Sequence, residues 1–226
     1  MDPMPRDKWP ATLPAVRQLL DDGLELGPAT VFVGENGVGK STLVEAIAGA
    51  FGLSPEGGST GANLHTRPSE SELWEHLSIA RAPGGARRGF FLRAETMHGF
   101  FTYLEQNPSS RGGEPVFHEL SHGESFLELI VQRFRGRGLW VLDEPESALS
   151  FSGSLALLGA LQQLLADGGS QVILSTHSPV LAHLSGARIL EVGEWGIRDC
   201  AWEDLDLVRN WRLFLDGPER FLRHLA

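Results

Sequence analysis

The octet Gly34-Glu35-Asn36-Gly37-Val38-Gly39-Lys40-Ser41 sets three glycines, a lysine and a hydroxyl at the spacing G-x-x-x-x-G-K-[ST]. Glycines let successive backbone N–H groups curl around an anion, and a helix starting at Lys40 adds the partial positive charge of its N-terminus. Lys40 then reaches the β- and γ-phosphates of a nucleotide, Ser41 offers its hydroxyl to Mg²⁺, and Thr42 follows in the same turn. An ordinary turn between a strand and a helix explains none of these choices together. The expected contacts of a nucleoside triphosphate are therefore Gly34, Asn36, Gly37, Val38, Gly39, Lys40, Ser41 and Thr42.

A second group of chemistry-bearing residues stands in "LWVLDEPES", where four apolar residues run directly into Asp143 and Glu144. A strand that delivers Asp143 at its carboxyl end sets a carboxylate beside the metal, and Glu144 is next in line to orient or deprotonate a water. Either residue alone reads equally well as the acidic end of a strand; the upstream glycine loop favours the catalytic reading. His177 closes a further apolar run, "QVILSTH", where a lone histidine is ordinarily structural. In "LSHGES", Ser121 and the backbone at Gly123 fall at the expected start of a helix, a second anion site with no phosphate of its own.

The elements that must hold these residues alternate. Thr30 to Val33, "RGFFLRAE" (Arg88 to Glu95), "GLWVLDE" and "QVILSTH" read as buried strands; Lys40 to Ala50, Thr96 to Glu105, a stretch from about His122 to Phe134, and "SGSLALLGALQQLLA" read as helices. A helix is also expected near Glu72 to Ala80, after a loop rich in Gly, Ser and Pro. "ARILEVGEWGIRDC" reads as a hairpin turning around Gly193 to Gly196, and two short helices close the chain, the second with Pro218 at its first turn. The expected class is α/β with a mainly parallel central sheet.

Composition narrows the setting. With 226 residues and 42% apolar content, the chain is expected to fold as one domain, residues 1–226. A net charge of -10 argues against broad affinity for nucleic acid or anionic lipid. The clusters Arg87-Arg88 with Arg93 and Arg133 to Arg137 read as solvated loop charge. A single cysteine, Cys200, suits a reducing compartment, and neither the N-terminus nor "LALLGALQQLLA" has the length or apolarity of a membrane span. A soluble, cytoplasmic protein is expected.

Taken in order, these segments resemble the ATP-binding-cassette (ABC) ATPases, over about Leu24 to Val192. "LSHGES" is similar to the family's signature motif, usually written LSGGQ, with His122 and Glu124 as departures. "SALS" at Ser147 to Ser150 is similar to the loop after the acidic strand, and "STHSP" to the switch-histidine segment. The resemblance implies a P-loop NTPase fold with a small helical subdomain at about 70–135, ATP and Mg²⁺ as ligands, and a head-to-tail dimer. In that dimer Ser121, His122, Gly123 and Glu124 of one copy close over ATP held by the other. It also implies that His177 contacts the γ-phosphate and holds the water with Glu144. Glu95 would stand where the family carries a metal-sensing glutamine. Trp9 is either an aromatic stacked on the base or a tryptophan filling a core edge.

"DEPESALS" in place of the transporter form DEPTSALD resembles the small stand-alone "AAA family" ATPases, akin to chromosome-maintenance, break-repair and RecF-like heads. The expected function is a Mg²⁺-dependent ATPase that dimerises on ATP and is coupled to an unidentified partner. The alternatives are the ATP-binding subunit of a membrane transporter and a DNA repair or defence head.

Overall fold

Strands buried on both faces must be apolar along their whole length, and "ATVFV", "LWVLD" and "QVILST" meet that requirement. In the computed structural model they are β1 (Ala29–Val33), β4 (Leu139–Asp143) and β5 (Gln171–Thr176), paired side by side and parallel. The structure describes residues 4–54, 57–59, 71–82, 84–94, 128, 130 and 134–223. With β2 (Gly58–Ser59), β3 (Gly89–Arg93), β6 (Arg188–Gly193) and β7 (Gly196–Asp199), they make a seven-stranded sheet in the order β2-β3-β4-β5-β1-β6-β7. Strands β3, β4, β5, β1 and β6 run parallel, while β2 and β7 are antiparallel edges.

The pairing sets the site. Arg93 is in register with Asp143, Asp143 with Ser175, and Thr176 with Val33, so the carboxyl ends of four strands open onto one edge. In parallel sheets of this kind, ligands bind outside that edge.

Helices cover both faces. Helix α2 (Lys40–Phe51) lays Leu43, Val44 and Ile47 against Phe32, Phe91, Val141 and Ile173, and α1 (Pro14–Asp22) joins that side. On the other face α3 (Phe151–Ala166) packs Leu157, Leu161 and Leu164 onto Val31, Leu142 and Leu174. Ser150 starts α3 by accepting a hydrogen bond from the Gly153 amide at 3.1 Å. At about 25 cal/mol per Å² of apolar surface, these two layers are the main stabilising element of the fold.

The hairpin β6–β7 turns at residues 193–196 as expected, and the closing helices are α4 (Asp206–Asp216) and α5 (Glu219–Leu222). Two expectations need correction. The segment expected as a helix over Glu72 to Ala80 forms only a short 3₁₀ turn, Glu72–His76, capped by Ser71 accepting from the Leu73 amide. Only Leu73 of that turn is buried. Beyond it the chain is extended at Leu77, and Arg81 is drawn along α2 by donating to the Phe51 carbonyl at 3.0 Å and stacking over its ring. Strand β3 is also shorter than the expected Arg88 to Glu95.

The helix expected at 96–105 and most of the expected helical subdomain lie outside the described residues. Of the helix expected over 122–134, Glu128 and Ile130 are described and helical, and the Phe134 amide donates to the Ile130 carbonyl at 2.8 Å. No helix among the described residues is long and apolar enough to cross a membrane.

Candidate active site

The glycine loop joins β1 to α2, and its backbone is shaped for an anion. Gly37 and Gly39 have φ of 81° and 102°, left-handed conformations that L side chains rarely adopt. A Cβ at Gly34 would collide with the Val192 carbonyl oxygen, because the loop leaves β1 pressed against β6. Gly39 is the N-cap residue of α2 and supplies no side-chain cap, so the first amides of the helix stay available to a ligand. Leu13, from the N-terminal lead-in, touches the Gly39 position from outside. Trp9 lies further up that lead-in, 58% exposed, which overturns the reading of it as a core-edge filler.

Lys40 is buried, and its ammonium is held by three neighbours. Its Nζ donates to the Glu35 carbonyl at 3.0 Å, lies 2.8 Å from His177 Nε2, and is 3.8 Å from Glu144 Oε1. Burial pushes its pKa below the ordinary lysine value, against the opposing pull of Glu144, Asp143, Glu146 and Glu35. His177 Nε2 also lies 3.0 Å from Glu144 Oε1. One ring nitrogen thus sits between an ammonium and a carboxylate, and with one proton it can accept from Lys40 or donate to Glu144, not both.

Asp143 ends β4 as a buried carboxylate. Ser41 Oγ donates to its Oδ1 at 3.0 Å, Ser175 Oγ donates to the same oxygen, and Arg93 Nε lies 3.6 Å from Oδ2. Burial raises the Asp143 pKa, while the bonds from Ser175 and Ser41 and the charge of Arg93 work the other way. Arg93 is itself paired with Glu45 of α2 at 2.7 Å. Ser41, Arg93, Ala94, Asp143, Glu144 and Ser147 line a cavity of about 360 Å³ at this point.

The structure therefore brings Lys40, Ser41, Asp143, Glu144 and His177 into one cluster at the sheet edge. Glu95, Ser121, His122, Gly123 and Glu124 lie outside the described residues. Three participants depart from expectation: Ser175, Arg93, which was expected as solvated loop charge but ends β3 with its side chain 16% exposed, and Glu146. The first two follow from the register of β3, β4 and β5, and only an assumed strand order would have revealed them.

A phosphate-binding loop, the Asp143-Glu144 pair and His177 thus share one edge of the sheet. The family described as "AAA domain, putative AbiEii toxin, Type IV TA system" matches residues 61–182. The cytochrome c biogenesis ATP-binding export protein CcmA of Rhizobium meliloti is 32% identical over 188 residues, 75% of this chain and 86% of that protein. The chain belongs to the ABC-type ATPases. This ATPase is also similar to the zinc import ATP-binding protein ZnuC of Yersinia enterocolitica, at 30% identity over 199 residues, 82% of the chain and 73% of that protein. Among solved structures, the SMC head domain from Thermotoga maritima matches with a TM-score of 0.44 at 17% identity, covering 79% of this chain and 92% of that one.

The residues present fit ATP and a magnesium ion. Ser41 Oγ and Asp143 Oδ1 are hard oxygen donors 3.0 Å apart, and the Asp143 carboxylate is a buried charge that a divalent cation would neutralise. When bound, Mg²⁺ supplies charge neutralisation on the phosphate oxygens.

Proposed function

We propose that the chain is a Mg²⁺-dependent ATPase in which the loop from Gly34 to Ser41 holds the phosphates, with Asn36, Val38 and Thr42 among the contacts. Ser41 and Asp143 hold the metal, and Glu144 acts as the base toward water. The observation that carries this reading is the triad of Lys40, His177 and Glu144 within 3.8 Å at the mouth of the loop. An arriving γ-phosphate gives the ammonium and the imidazole a shared anion in place of each other, which leaves Glu144 free to take a proton from water.

The same proposal assigns Trp9 to the base and Glu95 to the metal. Two copies are held head to tail by ATP, the segment from Ser121 to Glu124 of each covering the nucleotide of the other. Hydrolysis then releases the clamp and drives an unidentified partner.

A second reading is supported by the relatives: CcmA and ZnuC are named as export and import ATP-binding proteins, so the partner of this chain would be a membrane protein. Copurification with a membrane protein from solubilised cells would separate it from the stand-alone reading.

The primary test is Mg²⁺-dependent phosphate release from ATP, compared with Lys40→Ala. The wild type is expected to turn over and the variant to lose both nucleotide binding and release. Equal release by the two proteins would remove the loop from the reaction.

A further inference from the structure

Glu146 stands two residues beyond the proposed base, in the 3₁₀ turn Pro145–Ala148. A parallel ladder between β4 and β5 demands a particular next bond at this point. The Glu144 amide donates to the Ser175 carbonyl at 3.1 Å, so the His177 amide should donate back to the carbonyl of Glu144. It does not. Glu144 has φ 48° and ψ 50°, a left-handed conformation, and this turns its carbonyl away. That carbonyl is taken instead by the Ser147 amide at 3.2 Å and the Ser147 hydroxyl at 2.9 Å. The His177 amide donates to Glu146 Oε1. A side-chain carboxylate has replaced a missing rung of the sheet.

The position of that rung matters because of what hangs on it. The His177 ring is set by its backbone, and its Nε2 lies 2.8 Å from Lys40 Nζ and 3.0 Å from Glu144 Oε1. The second Glu146 oxygen, Oε2, is buried and has no hydrogen-bond partner among the described residues, so within them the carboxylate is held by the His177 contact. A buried carboxylate in that situation, next to the reacting groups, points to a role beyond packing.

We propose that Glu146 is the positioning residue of this site: its carboxylate fastens the His177 backbone to the turn after β4, so that Glu144 and His177 move as one unit. The proposal rests on the assignment of His177 and Glu144 to ATP hydrolysis made above. Glu146 touches neither water nor nucleotide in this scheme. Removing it leaves the phosphate loop intact and loosens the alignment of the water-handling pair.

The test uses the full chain and two variants. Glu146→Ala removes the acceptor, and Glu146→Gln keeps an amide oxygen at the same reach. Steady-state hydrolysis is expected to show kcat lowered about tenfold or more in Glu146→Ala with KM for ATP unchanged, because small misplacements of reacting groups have effects of that size. Glu146→Gln is expected to recover to within a few-fold of wild type.

Amide hydrogen exchange at His177 supplies a readout independent of turnover: faster in Glu146→Ala, near wild type in Glu146→Gln. Wild-type kcat in Glu146→Ala, or a loss that Gln fails to restore, overturns the proposal, as does unchanged exchange at His177. A wild-type protein without ATPase activity, yet with the exchange pattern above, sinks the hydrolysis reading while leaving the tether in place.

Discussion

Glu144 joins two demands in one residue. Its backbone sits in the left-handed region at φ 48°, a conformation that costs about 1–2 kcal/mol for an L residue. Its side chain, about a third exposed, meets His177 Nε2 at 3.0 Å. The strained turn aims the carboxylate at the loop and away from the sheet, and strain of this kind gathers at functional positions. Glu144→Gln preserves shape and backbone while removing the basic oxygen. It is expected to lower hydrolysis by about 100-fold or more, the scale of general-base catalysis, while ATP binding stays within a few-fold because Lys40 and the glycine loop are untouched. Nucleotide titration beside phosphate-release kinetics checks both halves, and parental turnover would take Glu144 out of the mechanism.

At the same scale, Asp143 and Glu144 were legible in the sequence because an apolar run pointed straight at them. Ser175 and Glu146 were not. Ser175 acts through a hydrogen bond set by the pairing of β4 with β5, 32 positions away in the chain, and Glu146 through one to the His177 amide just beyond that pairing, 31 positions away.

At the scale of elements, the hairpin β6–β7 shows which features a linear reading captures. Glycines at 193 and 196 flank a short turn between two strands, and the turn forms there. The buried Glu191 gave no such signal. It accepts two bonds from Arg198, at 2.9 and 2.5 Å, and one from the Asp206 amide at 2.9 Å, so a single carboxylate ties the hairpin to the start of α4. The helix expected near Glu72 to Ala80 does not form past His76: the chain is extended at Leu77, and Arg81 is anchored on Phe51.

The hairpin also carries a pH-dependent term. Arg188 grips Asp199 through two bonds, at 2.6 and 2.7 Å, and these hydrogen bonds hold the Asp199 carboxyl below its ordinary pKa. A carboxylate depressed in the folded state adds stability above its unfolded pKa and loses it as pH falls through the folded one. Asp199 is 64% exposed, so solvent screening limits the pair to under about 1 kcal/mol. Asp199→Asn is expected to lower the urea midpoint slightly at pH 7, and the gap should close as pH falls below the ordinary aspartate range. A gap that persists unchanged in acid would assign the effect to packing.

At the scale of the whole molecule, the proposed dimer and the charge balance make opposing demands. Each copy carries a net charge of -10, so two copies approaching face to face repel, and the nucleotide between them adds further negative charge. Raising salt from low to physiological levels, where the Debye length is about 8 Å, weakens that repulsion. The ATP-bound dimer of Glu144→Gln should therefore grow more populated with salt over this range in light-scattering measurements. Contacts to nucleic acid phosphates respond in the reverse direction, weakening as salt rises, so the same titration separates a self-clamp from a DNA-gripping head.

Ser121→Arg in the Glu144→Gln background gives the decisive comparison. A bulky cation placed in the segment assigned to cover the partner's phosphates should leave nucleotide binding intact within each copy, because the loop from Gly34 to Ser41 is untouched, and should abolish the dimer. A double variant that still dimerises on ATP at parental affinity would mean that the two copies meet through some other face. The segment from Ser121 to Glu124 would then lose its role in closing the site.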